Sequence, residues 1–243
     1  MSIRFIEENK IFKLDSKTST YIFGVFEGNY LVHYYYGAPI PDTDVEQLRI
    51  RPGFASFCPD SPSARVFNFS PDVTPLEYST FGAGDFRLSA FAVKNSEGNK
   101  VTDLRYVSHE IYSGKKPIPG LPSLYVNTED EADTLEVLTE DKVTGARVTL
   151  VYTVFKEYGA ITRSVKVENP SDKPFHIDTI HSLCVDLPGY DYDMLGLYGR
   201  WVKERSLDRY PLHRGIQSIK SKRGSSSHNH NPFTALISKG ANE

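Results

Sequence analysis

The segment Ala146–Glu168, ARVTLVYTVFKEYGAITRSVKVE, decides the fold class. Its first half alternates with a period of two. Val148, Leu150, Tyr152 and Val154 fall on one side, and Arg147, Thr149, Val151, Thr153 and Phe155 on the other. After the turn signal at Glu157–Gly159 the alternation resumes, with Arg163, Val165 and Val167 opposite Ser164, Lys166 and Glu168. Successive side chains of a strand point to opposite faces of its sheet, so the pattern predicts two strands joined by a short turn.

The same period recurs outward from this hairpin. Tyr30–Tyr36 (YLVHYYY) sets Leu31, His33 and Tyr35 against Val32, Tyr34 and Tyr36. Val101–Tyr106, Thr134–Leu138 and Phe233–Ser238 read as further strands. Pro174–Leu187 is long enough to need a bend or bulge partway. Turn signals separate these runs at Glu27–Asn29, Asn95–Asn99, Lys116–Pro122, Thr144-Gly145 and Asn169–Lys173. No run of ten residues carries a helical period, and Asp44–Ile50 allows one short helical turn. Many strands with short turns predict an all-β fold, a large, mostly antiparallel β-sandwich. Arg51–Pro75, with five prolines, reads as a long ordered loop of the kind that serves function or subunit contacts. Phe233–Ser238 would leave an apolar edge uncovered if nothing followed it, so the expectation is that the 243 residues belong to a longer polypeptide.

Composition narrows the function classes. Hydrophobic residues at 39% and charged residues at 24% are those of an ordinary globular domain, and 12% aromatics favour sheet. A net charge of −3 leaves no polyanion footprint, and the basic run Arg200–Arg223 is broken by Glu204 and Asp208, so no nucleic-acid partner is expected. No apolar run approaches the roughly 18 residues of a membrane span. MSIRFIEENK lacks a signal-peptide core, which makes the cytoplasm the default location. Cys58 and Cys184 have no metal spacing and read as reduced thiols. Phosphate-binding glycine loops are absent, and no cofactor is expected. His228 and His230 lack a third ligand nearby, so no metal is expected and packing is the simpler role for this serine-rich stretch. Asp191/Asp193, Asp186/Asp191 and Glu129–Asp130–Glu131 could be proposed as catalytic carboxylate pairs. Adjacent acids on strands face opposite ways, however, and Glu129–Asp133 reads as a solvated acidic loop.

Leu195–Phe233 holds the only tryptophan, Trp201, within a dense run of Arg, Lys, Glu, His and Tyr. Two readings follow from the residues. Trp201 anchors a core beneath a solvated charged face, or its flat apolar ring stacks on a sugar whose hydroxyls meet the neighbouring charges. Tyr198, Arg200 and Arg205 are the companions of the second reading, while Glu204 with Arg205 reads as a domain-interface pair.

The segment also carries motifs: Trp201, Glu204-Arg205, Arg209-Tyr-Pro211-Leu212, Gly215-Ile-Gln217, Arg223-Gly224-Ser-Ser-Ser227-His228 and Asn231-Pro232-Phe233. Upstream lie Tyr78, Gly84-Asp85-Phe86-Arg87, Thr102-Asp103-Leu104-Arg105-Tyr106, Gly120-Leu121-Pro122 and Ile161-Thr162-Arg163-Ser164. Together they resemble the N-terminal domain of the bacterial-type, multidomain α-galactosidases of glycoside hydrolase family 36. The resemblance covers nearly the whole chain. It implies a supersandwich over residues 1–243, followed by a catalytic (β/α)8 barrel that carries both catalytic carboxylates, so no catalytic residue is expected in this chain. It implies that Trp201 contacts a galactoside substrate from the side of this domain, and that the enzyme is a homo-oligomer, a tetramer. In many relatives the proline-rich loop ends in Asp-Arg-Gly-Phe-Ser-Pro, and its Asp reaches a neighbouring subunit's active site. Here the stretch is Ile50-Arg51-Pro52-Gly53-Phe54-Ala55-Ser56, without that Asp. Arg51 or Gly53 stands near its place, and Arg51 and Arg65, the latter in the retained Arg65-Val66-Phe67, are the candidate rim residues of that contact. An α-N-acetylgalactosaminidase of the same architecture, and a free-standing carbohydrate-binding or assembly module, are the alternative readings.

Overall fold

The computed structural model describes residues 2–48, 69–187, 189, 191–223 and 229–241. Arg51, Arg65, Cys58, His228 and most of the proline-rich loop lie outside them. The described residues form strands joined by turns and three short 3-10 segments, the longest at Asp42–Leu48, where the sequence suggests one helical turn. Contacts divide the chain into two compact units, Met1–Asp186 and Leu187–Glu243.

The first unit holds two four-stranded antiparallel sheets. One runs in the order β1 (Ile3–Ile6), β2 (Ile11–Asp15), β3 (Thr20–Phe26), β4 (Tyr30–Gly37). A shorter pair follows, β5 (Phe91–Asn95) with β10 (Phe175–Ile180). The other large sheet contains β6 (Leu104–Ser113), β7 (Ala132–Asp141), β8 (Arg147–Phe155) and β9 (Ala160–Glu168). The alternation in β8 is the core pattern itself. Val148, Leu150, Tyr152 and Val154 are buried, and with Leu135 and Val137 of β7 they pack against Phe12, Leu14, Tyr21, Phe23 and Val25 of the first sheet. Fully burying each such side chain contributes about 1.5–3 kcal/mol. This is a β-sandwich with its core between the sheets.

Two strands differ from their sequence reading. β10 carries its irregularity between Ile177 and Thr179, as the length of Pro174–Leu187 requires, but it ends at Ile180. Beyond it the chain is held singly: His181 N–H donates to Ala90 O at 2.8 Å, and Tyr78 Oη donates to His181 O at 2.6 Å. β4 is buried from Tyr30 to Tyr34 on both faces, because Tyr30, Val32 and Tyr34 join a second small core with Ile11, Ile22 and Phe69.

Several motif residues hold the fold. The buried Asp85 carboxylate accepts Arg87 Nε and Nη2 at 2.9 Å each, while Arg87 Nη1 reaches Asp186 at 2.9 Å. Arg105 pairs with Asp103 and lies 3.5 Å over the Tyr30 ring. Arg163 shares its face with Val165 and Val167, and its charge is met by Glu77, fully buried, at 2.7 Å.

The second unit is one antiparallel sheet in the order β12 (Lys203–Pro211), β11 (Tyr192–Arg200), β13 (Asn229–Ser238). Phe233–Ser238 lies within β13, which pairs with β11 along one side and forms a sheet edge on the other.

Candidate functional site

Trp201 sits at the tip of the β11–β12 hairpin. Arg200 pairs with Lys203, so Trp201 and Val202 form a two-residue loop. The ring is 78% exposed. A tryptophan this open contributes little to a core, and the structure therefore decides against the core-anchor reading.

The local backbone is unusual. Val202 has φ 69°. A β-branched residue rarely enters this region, where a loop of this kind ordinarily takes glycine. Between the pairs Tyr198–Ser206 and Arg200–Lys203, Gly199 alone faces both Glu204 and Arg205, which makes a bulge, and Arg205 has φ 60°. A Cβ on Gly199 would lie 1.9 Å from Lys203 O, so only glycine fits there. Glu204 turns back on the loop and accepts the Val202 N–H at 2.9 Å. This bond lies within the hairpin itself.

Arg200, Trp201, Val202, Lys203, Arg223 and Asn229 line an open recess of about 470 Å³. That volume falls in the range of small-ligand sites, roughly 300–1,000 Å³. Among the described residues, the ion pairs of this unit join Arg209 to Asp193 at 2.8 Å and Lys239 to Asp191 at 2.7 Å. They do not engage Arg200, Lys203 or Arg223, so the recess offers an aromatic face beside three cationic donors. Such a wall can stack on the apolar face of a hexose ring and donate hydrogen bonds to its hydroxyl oxygens.

Of the companions expected for Trp201, Arg200 lines the recess, whereas Tyr198 and Arg205 do not. Lys203, Arg223 and Asn229 were missed as lining residues. Asn229 arrives from β13, at φ 69°, and Arg223 from the segment before it. Alternating polarity along β12 cannot reveal which neighbours the sheet brings beside its tip.

The acidic pairs considered from sequence are otherwise engaged. Asp191 and Asp193 each hold a cation, and Asp186 holds Arg87. Glu129–Glu131 forms an acidic 3-10 turn in which Glu131 accepts the Asn127 N–H at 3.0 Å. Among the described residues no cluster of three metal-ligating side chains occurs, and no helix is long and apolar enough to cross a membrane. A larger groove of about 540 Å³ lies in the first unit beside Lys115–Leu124. Its carboxylate, Glu136, already accepts Tyr112 Oη at 2.7 Å.

Residues 29–243 match the family described as the Glycosyl hydrolase family 36 N-terminal domain. The chain belongs to this family. It is 39% identical to alpha-galactosidase AgaA of Geobacillus stearothermophilus, covering 100% of this chain and 33% of that protein. It is 34% identical to alpha-galactosidase Mel36A of Lactobacillus acidophilus, covering 99% and 33%. The chain thus spans about a third of the length of these relatives. In structure it resembles the family 36 alpha-galactosidase AgaB of Geobacillus stearothermophilus, with a TM-score of 0.91 and 39% identity over 100% of this chain and 33% of that one. It also resembles a variant of AgaA crystallised with raffinose, with a TM-score of 0.90 and 40% identity over 96% of this chain and 32% of that one. Family membership bears out the fold and the resemblance read from the motifs. Arg51 and Arg65, the two loop residues expected at the rim, lie outside the described residues.

Proposed function

We propose that this chain is the N-terminal domain of a retaining α-galactosidase that removes terminal α-linked galactose from oligosaccharides such as melibiose and raffinose. The observation that carries the reading is the single tryptophan, held out on a constrained hairpin tip and set in a recess of sugar-binding dimensions. The relatives named alpha-galactosidase, one of them crystallised with raffinose and another variant with stachyose, support the substrate class.

In this reading the domain walls one side of the active site. Trp201 packs against the galactose ring, and Arg200, Lys203 and Arg223 meet hydroxyl oxygens at its rim. A wall of this kind excludes water and strengthens the electrostatics of the carboxylates it faces. The nucleophile and the acid/base lie on a catalytic (β/α)8 barrel that follows this domain. They work by double displacement across a gap of about 5 Å. Neither a metal nor a nucleotide takes part. Arg51 and Arg65 of the proline-rich loop serve the rim of a neighbouring subunit's site, in a cytoplasmic homo-oligomer.

The test is turnover of an aryl α-galactoside, with the anomer of the first product followed by NMR. The longer polypeptide that carries this domain gives product with retained configuration, whereas the 243-residue chain gives none. Turnover by this chain alone, abolished by replacing one of its own acids, would sink the reading.

A further inference from the structure

We infer that Glu204 is a positioning residue: its carboxylate locks the two-residue loop that presents Trp201. The inference rests on the reading of Trp201 as a substrate wall for its consequence, but not for its geometry.

The loop needs a lock. Val202 sits at φ 69°, a region that costs an L-residue with a branched side chain, so the free segment favours other turns. The loop stays in this turn only where surrounding interactions over-determine it. Three features converge on it. The Arg200–Lys203 pair closes the loop. The bulge, with Arg205 at φ 60° and Gly199 too close to Lys203 for any side chain, gives the β12 end of the hairpin an extra residue. Glu204, within that bulge, accepts the Val202 N–H at 2.9 Å. The donor belongs to the residue that follows Trp201, so the bond holds the peptide from which the indole projects. Glu204 itself is exposed and packs in no core. Its replacement therefore tests the loop without testing the fold.

Because Trp201 is the only tryptophan of the 243-residue chain, its time-resolved fluorescence anisotropy reports this loop alone. In E204A the indole gains a larger amplitude of motion faster than overall tumbling, with the urea midpoint of the chain unchanged. E204Q, which keeps an acceptor oxygen, restores the slow decay. A decay in E204A like that of the unchanged chain would overturn the inference. So would failure of E204Q to rescue, or a urea midpoint that falls in step with the loosening. In the longer enzyme, E204A raises KM for an aryl α-galactoside while kcat is held, and E204Q restores KM. A loop loosened by anisotropy but with KM unchanged would leave the lock standing and overturn instead the reading of Trp201 as a substrate wall.

Discussion

Arg163 Nη1 lies 2.7 Å from Glu77 Oε1 inside the sandwich, 86 residues apart in sequence. The same carboxylate accepts Tyr21 Oη at 2.7 Å and Tyr152 Oη at 2.6 Å, and it faces His33 Nδ1 at 3.2 Å. The Arg163 guanidinium lies 4.0 Å over the Tyr152 ring. A carboxylate that is fully buried survives only with partners of this number and quality.

Removing one member of this pair is expected to cost far more than removing both. R163M leaves Glu77 charged and buried without its cation, and a loss of about 3–5 kcal/mol follows. E77Q/R163M removes both charges yet keeps an acceptor for the two tyrosines, so it recovers most of that loss. Urea midpoints of the two variants check the order, and equal losses would refute it.

Stability should also depend on Glu77 at acid pH. Burial pushes its carboxyl up, but the Arg163 charge and the hydrogen bonds from His33 and Tyr152 outweigh burial and hold it below its usual 4.5. The folded value lies below the unfolded one. The contribution is therefore complete above about 4.5 and is lost as pH falls through the folded value. Thermal unfolding followed from pH 7 down to roughly pH 3 should show a shallower acid limb in E77Q than in the unchanged chain.

Gly199 should tolerate no side chain. The alanine Cβ would fall 1.9 Å from Lys203 O, so the bulge must open. G199A is expected to destabilise by about 1–3 kcal/mol and to shift the Trp201 emission maximum. Calorimetry and the emission spectrum test the two parts separately.

Val202 should behave in the opposite sense. At φ 69° and 75% exposed, its side chain adds strain with little packing in return. V202G is expected to stabilise the chain by about 1 kcal/mol, read as a higher urea midpoint. A lower midpoint would show that the branched side chain packs usefully after all.

Trp201 should matter for sugar and not for folding. W201A leaves the urea midpoint nearly unchanged because the ring is 78% exposed. In the longer enzyme it weakens substrate binding by about twofold to tenfold, the equivalent of roughly 0.5–1.5 kcal/mol of ring stacking. A large drop in stability with KM unaltered would return Trp201 to a packing role.

Much of the fold was legible because a strand declares itself locally. Val148, Leu150, Tyr152 and Val154 share a face whatever they pack against, and the turn at Glu157–Gly159 leads into the next strand beside it. The motif from Trp201 to Glu204-Arg205 was legible as a pattern but not as a device. Nothing in the letters Val202 and Arg205 announces positive φ, since neither is glycine. The bond from the Val202 N–H to Glu204 was not legible either, because it exists only once the bulge has formed.

Periodicity, turn chemistry and motif spacing, all properties of neighbouring residues, determined that this chain is built of antiparallel strands and to which family it belongs. Tertiary structure alone decided that Arg163 on an apolar face is answered by Glu77, that Trp201 stands in solvent, and that Arg223 and Asn229 stand beside it. Those outcomes depend on which distant segments the chain brings back, and on the water that their meeting excludes or admits.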